Sequence, residues 1–222
     1  MAISFDTSTA YDHASSASHS FSHTVANNAN LLVVCASLQG AVTITGITYN
    51  GVAMTNAGVD LLDDRMTIWY LASPATGANN VVVSYSGADV GDGFALSFKG
   101  VDTADPVGAT TSQNSTSNVT SQSKQITTTT DNSWVLDFAW INDAAITSLT
   151  PDGSQVSRDN QEANGIEEAV STLATTTAGN YNMGWTWTTS ARILQGLIEI
   201  KAGAVVGGAT TPTPTLALLG VG

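Results

Sequence analysis

A single cysteine, Cys35, stands in the 222 residues, so no disulfide forms within the chain. Its setting in LLVVCASL makes it a small core residue and not a nucleophile. Basic side chains are also scarce: six Lys and Arg against eighteen Asp and Glu leave a net charge of −12. That balance repels phosphate backbones and anionic lipid, which excludes a nucleic-acid partner and reads as a soluble, self-repelling surface. Charged residues of all kinds make up only 11%, too few for helices held by Glu–Lys pairs. Histidine is confined to His13, His19 and His23, so no Ser-His-Asp arrangement suggests itself along the chain. No apolar run approaches the ~20 residues of a membrane-spanning helix. The opening residues MAISFDTSTAYDH carry neither a basic nor an apolar leader, so the protein is expected either to be made for the cytoplasm or to reach the outside by lysis, non-classical export or prior processing.

What is abundant is Thr, Ser, Val, Gly and Asn, the residues of strands and turns. Residues 67–86, TIWYLASPATGANNVVVSYS, read as two strands around a turn, and residues 169–188, AVSTLATTTAGNYNMGWTWT, repeat the pattern. Leu71 matches Leu173, Ala72 matches Ala174, Gly77 matches Gly179, and Lys99 matches Lys201, each pair 102 positions apart. ITGITYNGVAM returns as ITSLTPDGSQV with Asp152-Gly153 in place of Asn50-Gly51, both strong hairpin dipeptides. SHTVANNANLLVVCAS aligns with QITTTTDNSWVLDFAW only after a one-residue shift, which reads as a loop insertion. The duplication also settles a local conflict. Ile166, Ala169, Val170 and Leu173 fall at helical spacing, but their counterparts around IWYLA form a strand, so a strand is expected here too.

The expected fold is therefore all-β: an antiparallel, jelly-roll-like β-sandwich of two internally duplicated halves spanning residues 1–202, with repeats at about 3–100 and 105–202. Two tandem immunoglobulin-like sandwiches are the alternative. Residues 203–222, GAVVGGATTPTPTLALLGVG, have no charge and end in an apolar run. They are expected to act as an extended assembly arm, with Thr215, Leu216, Leu218 and Leu219 as the docking residues.

Chemistry is harder to place. His19 and His23 share a strand face but lack converging ligands, so all three histidines are read as polar surface residues. Asp60, Asp63 and Asp64, and Asp89 with Asp92, lack the spacing of a calcium loop and are read as solvating loops. Trp69, Trp134, Trp140, Trp185 and Trp187 alternate along strands, so most are read as core, while exposed ones would stack on sugars. Asn114 and Asn118 fit a glycosylation sequon and mark a polar loop. No catalytic, metal-binding or cofactor-binding residue is nominated, and no enzymatic activity is expected.

LLVVCASL, ITGITYNGVAM, IWYLASPATGANNVVVSYSG, FALSFKGVDTADPVG and LIEIKA together resemble a β-sandwich module of bacteriophage virion proteins and bacterial surface proteins, over about residues 3–202. The resemblance implies a binding or structural module without a catalytic motif. The expected role is a capsid decoration or fibre protein on the virion surface, made in the host cytoplasm. Its partners would be copies of itself or a major capsid or fibre protein, and glycans. The alternatives are a carbohydrate-binding or adhesive module at the cell surface, and a self-polymerising filament subunit.

Overall fold

The computed structural model describes residues 2–61, 65–141, 146, 149–163 and 165–204. Among them run fifteen strands and no helix. The first repeat supplies β1 (Ser4–Val25), β2 (Ala29–Leu38), β3 (Ile44–Tyr49), β4 (Val52–Ala53), β5 (Thr55–Leu61), β6 (Met66–Ala72) and β7 (Gly77–Lys99). The second supplies β8 (Val107–Asn114), β9 (Val119–Thr127), β10 (Trp134–Ile141), β11 (Thr150–Pro151), β12 (Val156–Ala163), β13 (Ile166–Ala174), β14 (Asn180–Ala191) and β15 (Leu194–Ile200). All pairing is antiparallel, as the composition predicts. Ile166–Ala174 is a strand, so the helical spacing there is incidental, and its residues are buried on both faces through Leu173's neighbour Thr172.

Registers of the inner strands reproduce the duplication. Leu31 pairs with Ala72 and Phe98 in the first copy, and Trp134 with Ala174 and Ile200 in the second. The one-residue shift of β10 against β2 is thus real, and it enters between β8 and β9. Phe5 opposite Phe98 returns as Val107 opposite Ile200, whereas Ser18 opposite Ser84 returns as Ser121 opposite Thr186. Where the first copy has the long bent strands β1 and β7, the second has each cut in two, at Ser115–Asn118 and at Arg192–Ile193. Ser115 Oγ accepts the Ile193 amide at 2.9 Å across that corner. The acidic run Ala88–Gly93 lies within β7 and is not a loop.

Bending creates layers. The second half of β7 lies between β1 and β2, and its first half between β1 and β3, so one strand contributes to two layers. The bend passes Gly93, where a Cβ would sit 2.1 Å from the Cys35 carbonyl oxygen and 2.9 Å from the Tyr11 ring. Tyr11, directly opposite in register, covers the glycine instead.

Three cores follow. Leu32, Val34 and Ala36 of β2 face Ile47, Tyr49, Val81 and Val83 of the first copy's outer layer. In the second copy, Val135, Ala139 and Ile141 of β10 face Met183, Trp185 and Trp187 of the layer β11-β14-β9. The other faces of β2 and β10 meet in a shared core containing Leu31, Val33, Phe94, Leu96, Phe98, Leu136, Phe138, Ile198 and Ile200. Each copy is a sandwich, and the inner sheets form a third apolar layer between them. Strands buried on both sides explain the unbroken apolar runs LLVVCASL and LIEI, which lack the alternation of a half-exposed sheet. β1 lies against β12, and β8 against β5. Exchanging the copies maps one contact onto the other, so an approximate twofold axis relates them.

Candidate functional site

The twofold is broken chemically at one end. Ser37 of β2 and Glu168 of β13 meet across the shared core, where the Ser37 hydroxyl donates to Glu168 Oε1. Their counterparts in the opposite copy are Trp140 and Met66, both members of the apolar core. Asp92 likewise corresponds to Leu194, and all six residues, the three at the polar end and their three counterparts, are at most 6% exposed. Gln161 Nε2 donates to Glu168 Oε2 at 2.9 Å, and to the carbonyls of Tyr11 at 3.1 Å and Gly93 at 3.2 Å. The Gln161 side chain therefore ties the second copy to both strands of the first copy's bend.

Burial, reinforced by the nearby Asp92 charge, pushes the Glu168 carboxyl up to about 8, against the opposing effect of the Ser37 and Gln161 hydrogen bonds. The proton so held suits a carboxyl in an apolar seam, because an ionised one would lack a compensating cation. Burial raises the Tyr11 phenol well above its ordinary value, with Tyr85, Glu168 and Asp92 adding to it. Asp137, in the second copy's own core, is pushed up to about 7 by burial, opposed by hydrogen bonding to Gln195, whose amide donates at 2.8 Å.

A second cluster follows the bend of β1. His13 is buried, with Nε2 2.7 Å from the Tyr85 hydroxyl, and His23 is buried with Nδ1 2.9 Å from Thr9 Oγ1. The surface reading of these two histidines is corrected: the strand folds back so that residues on its two arms face each other. Nearly parallel rings result, His13 on His19 at 4.7 Å, His13 on Tyr85 at 5.2 Å and Tyr11 on Phe21 at 4.3 Å. Burial lowers His23 to about 4, so its imidazole is neutral at physiological pH. Asp92 is a further correction, since it is fully buried and does not solvate a loop. Asp60 is exposed, and Asp63 and Asp64 lie outside the described residues. Among the described residues, no three His, Cys, Asp or Glu side chains come together as a possible metal site.

The tryptophans are packing residues: Trp140, Trp185 and Trp187 are buried, and Trp69 and Trp134 partly so. Arg158 lies over the Trp134 ring at 5.1 Å and over Phe5 at 4.7 Å, linking the copies at the edge of the shared core. Asn114, the last residue of β8, and Asn118, in the turn before β9, are both exposed. Thr215, Leu216, Leu218 and Leu219, the expected docking residues, lie outside the described residues.

Shallow grooves open beside the hairpins of both copies. In the second copy a groove of about 460 Å³ is lined by Asp152–Gln155, Leu173 and Ala174, Asn180–Asn182, Gly184 and Ser123. The first copy has one at the matching place, about 420 Å³, lined by Thr48, Asn50, Gly51, Ala78–Asn80 and Val82. Among the described residues no helix is long and apolar enough to cross a membrane. No family model, no curated protein and no solved structure matches the chain.

The sequence signal for the buried polar end was present but indirect. It lies in the differences between matched positions, Ser37 for Trp140, Glu168 for Met66 and Asp92 for Leu194, and only the twofold brings those three together.

Proposed function

We propose that the chain is a virion structural protein, a capsid decoration or fibre module whose double sandwich faces outward and whose last residues hold it to the particle. One contrast supports this reading. Among the described residues only Val52 and Val156 are large hydrophobics left exposed, at 53% and 49%. The adhesive apolar groups of the sequence are concentrated instead in residues 203–222, which carry no charge and include Leu216, Leu218 and Leu219. A body that repels its neighbours through a net charge of −12 needs such a segment to attach. Ala204 lies beside Ala2 and Thr130–Asn132, and a segment leading on from there agrees with attachment at that end of the body.

The buried carboxyls Glu168 and Asp137 support a structural role as well, because they are sealed between sheets and hydrogen-bonded to the Gln161 and Gln195 amides. Immunogold labelling of virions from the source host, with antibody to the folded body, tests the proposal. Labelled particle exteriors are expected, and lost in particles made with a chain ending at Ala204. Labelling confined to cell envelopes, or normal incorporation of the shortened chain, overturns it.

A further inference from the structure

We propose that the outer edge of β1, residues 19–25, pairs antiparallel with the same strand of a second molecule, joining two molecules through one continuous sheet independently of how the last residues attach. β1 ends the outer layer β4-β3-β7-β1, and among the described residues no strand pairs beyond it. The Asn80 carbonyl accepts the Asn50 amide at 2.9 Å, so Asn80 turns its backbone groups toward β3. Ser22 stands opposite Asn80 in register, so its own amide and carbonyl point away from β7, and alternation gives Ser20 and Thr24 the same direction. All three residues are exposed. Ser18 points outward too, but the Ser16 hydroxyl occupies it, donating to its carbonyl at 2.7 Å and accepting its amide at 3.3 Å.

An unpaired strand edge is a template for another chain, and the other edge strands carry guards against it. β4 and β11 are two residues long. β5 is irregular between Asn56 and Asp60, and β12 between Ser157 and Asp159. β8 and the first arm of β1 lie against β5 and β12 of the opposite copy. The bare stretch of β14 beside β11 is closed by Gln155, which accepts the Gly184 amide at 2.6 Å. β9 is the match of the β1 stretch, and it places Lys124 where β1 has Phe21, an inward-pointing charge beside buried Ile126. Ser18–Val25 is the exception. It has no Pro, Asp, Glu, Lys or Arg, and its register against Gly77–Ser84 is unbroken.

The partner is a second molecule because this edge is complementary to itself. With Ser22 opposite Ser22 on a twofold axis, Ser20 meets Thr24, and the outward groups close about six backbone hydrogen bonds. The facing side chains are then hydroxyls, which pair across strands without like charges. His19 and His23, the titratable groups of the stretch, point inward, and burial lowers both, His23 to about 4, so two such strands meet uncharged at pH 7. A net charge of −12 keeps the rest of the two bodies apart, which makes an uncharged edge the place where they can approach. Two β9 edges would instead bring two Lys124 side chains into one seam.

The test is sedimentation equilibrium of the full chain up to about 1 mM, at low salt and in about 0.5 M salt, with amide hydrogen exchange read at both ends of the concentration range. A dimer is expected, tighter at high salt because repulsion between the bodies is screened. Exchange should slow on dimerisation at Ser20, Ser22 and Thr24, and not at Ser121, Ser123 and Gln125. Ser22→Pro removes an outward donor that the fold does not use, and Ser22→Lys sets two ammonium groups across the axis. Each should weaken the dimer about tenfold or more with thermal unfolding of the dilute monomer unchanged, whereas Ser123→Lys should leave the dimer intact. A monomer at every concentration and salt overturns the proposal. So does slow exchange of the three amides already in the monomer, or association indifferent to both Ser22 variants, which would assign it to another surface.

Discussion

Glu168 illustrates how one side chain can set the pH response of an otherwise apolar seam. Its carboxyl is held up to about 8 by burial and by Asp92, against an ordinary glutamate value near 4.5 in the unfolded chain. Between those values the folded protein binds a proton that the unfolded chain has lost. Stability from this group is therefore full below about pH 4.5, falls as pH rises toward 8, and is level above it. Glu168→Gln keeps the shape of the protonated acid, with its NH₂ toward Ser37 and its oxygen toward Gln161. The substitution should stabilise the protein at pH 9 by on the order of a few kcal/mol and flatten the slope between pH 5 and 8. Urea unfolding across that range measures it; an unchanged slope would mean that Glu168 titrates normally. His23 acts in the opposite direction. Lowered to about 4, it favours the folded state while neutral, and that contribution is lost as pH falls from about 6.5 through 4. His23→Gln should reduce the loss of stability in that acid window, read by the same unfolding series, provided that Gln keeps the Thr9 contact.

At the scale of strands, the two copies solve one problem with carboxylates placed on opposite sides of a strand pair. The loop after the edge strand presents an inward amide, Ala26 in the first copy and Thr129 in the second. Asp6 of β1 accepts from Ala26 N at 3.1 Å and Ser97 Oγ at 2.8 Å, and pairs with Lys99 at 2.8 Å. In the second copy position 108 is glycine, and Glu199, at the place of Ser97, accepts from the amides of Ala109, Thr129 and Thr130 at 2.9–3.0 Å. Burial alone would raise Glu199, but these backbone donors prevail and its pKa is lowered. A Cβ at Gly108 would first meet the Glu199 carboxyl, at 2.2 Å from Oε2, and the Lys201 stem. Glu199→Ser should therefore cost about 2–3 kcal/mol by leaving buried amides without their anion. Gly108→Asp alone should also destabilise, through the clash, while the double variant should recover much of the loss by restoring the first copy's arrangement. A double-mutant cycle with near-zero coupling would refute the equivalence. Strand identity and the one-residue insertion were legible in the sequence, since both follow from local pattern and constant spacing. The exchange of Asp6 for Glu199 was not, because the partners are 20 to 90 residues apart and a carboxylate on either strand reads as a surface charge. His13 and His23 were misread for the same reason: a strand that folds back on itself turns a polar-looking alternation inward.

For the molecule as a whole, the central question is whether two sandwiches sharing a core can unfold separately. Each copy owns an apolar layer of its own, which argues for local autonomy. The shared layer, however, contains residues from both copies that no exposed surface could carry, among them Phe94, Leu96, Phe98, Phe138 and Ile198, all fully buried. Truncating one such phenylalanine to alanine costs about 3–5 kcal/mol, so removing an entire opposing sheet would cost a single copy far more than ordinary domain stability. The linker residues support tight coupling too, since Val101 bridges Ala202 and the Lys201 amide donates to the Pro106 carbonyl at 2.9 Å. The full chain should therefore unfold in one calorimetric transition whose van't Hoff and calorimetric enthalpies agree, and Phe98→Ala should shift that transition as a unit. A fragment of residues 2–103 should not persist as a monomer: its bare inner sheet is already shaped to receive a near copy of itself across the twofold, so it should dimerise or precipitate. Ser37 would then face Met66 of the other fragment in place of Glu168, a loss of polar pairing but not of packing. Two resolved transitions in the full chain, or a soluble monomeric fragment with native-like near-ultraviolet dichroism, would show that the copies are energetically independent and that the shared layer is only a contact between finished domains.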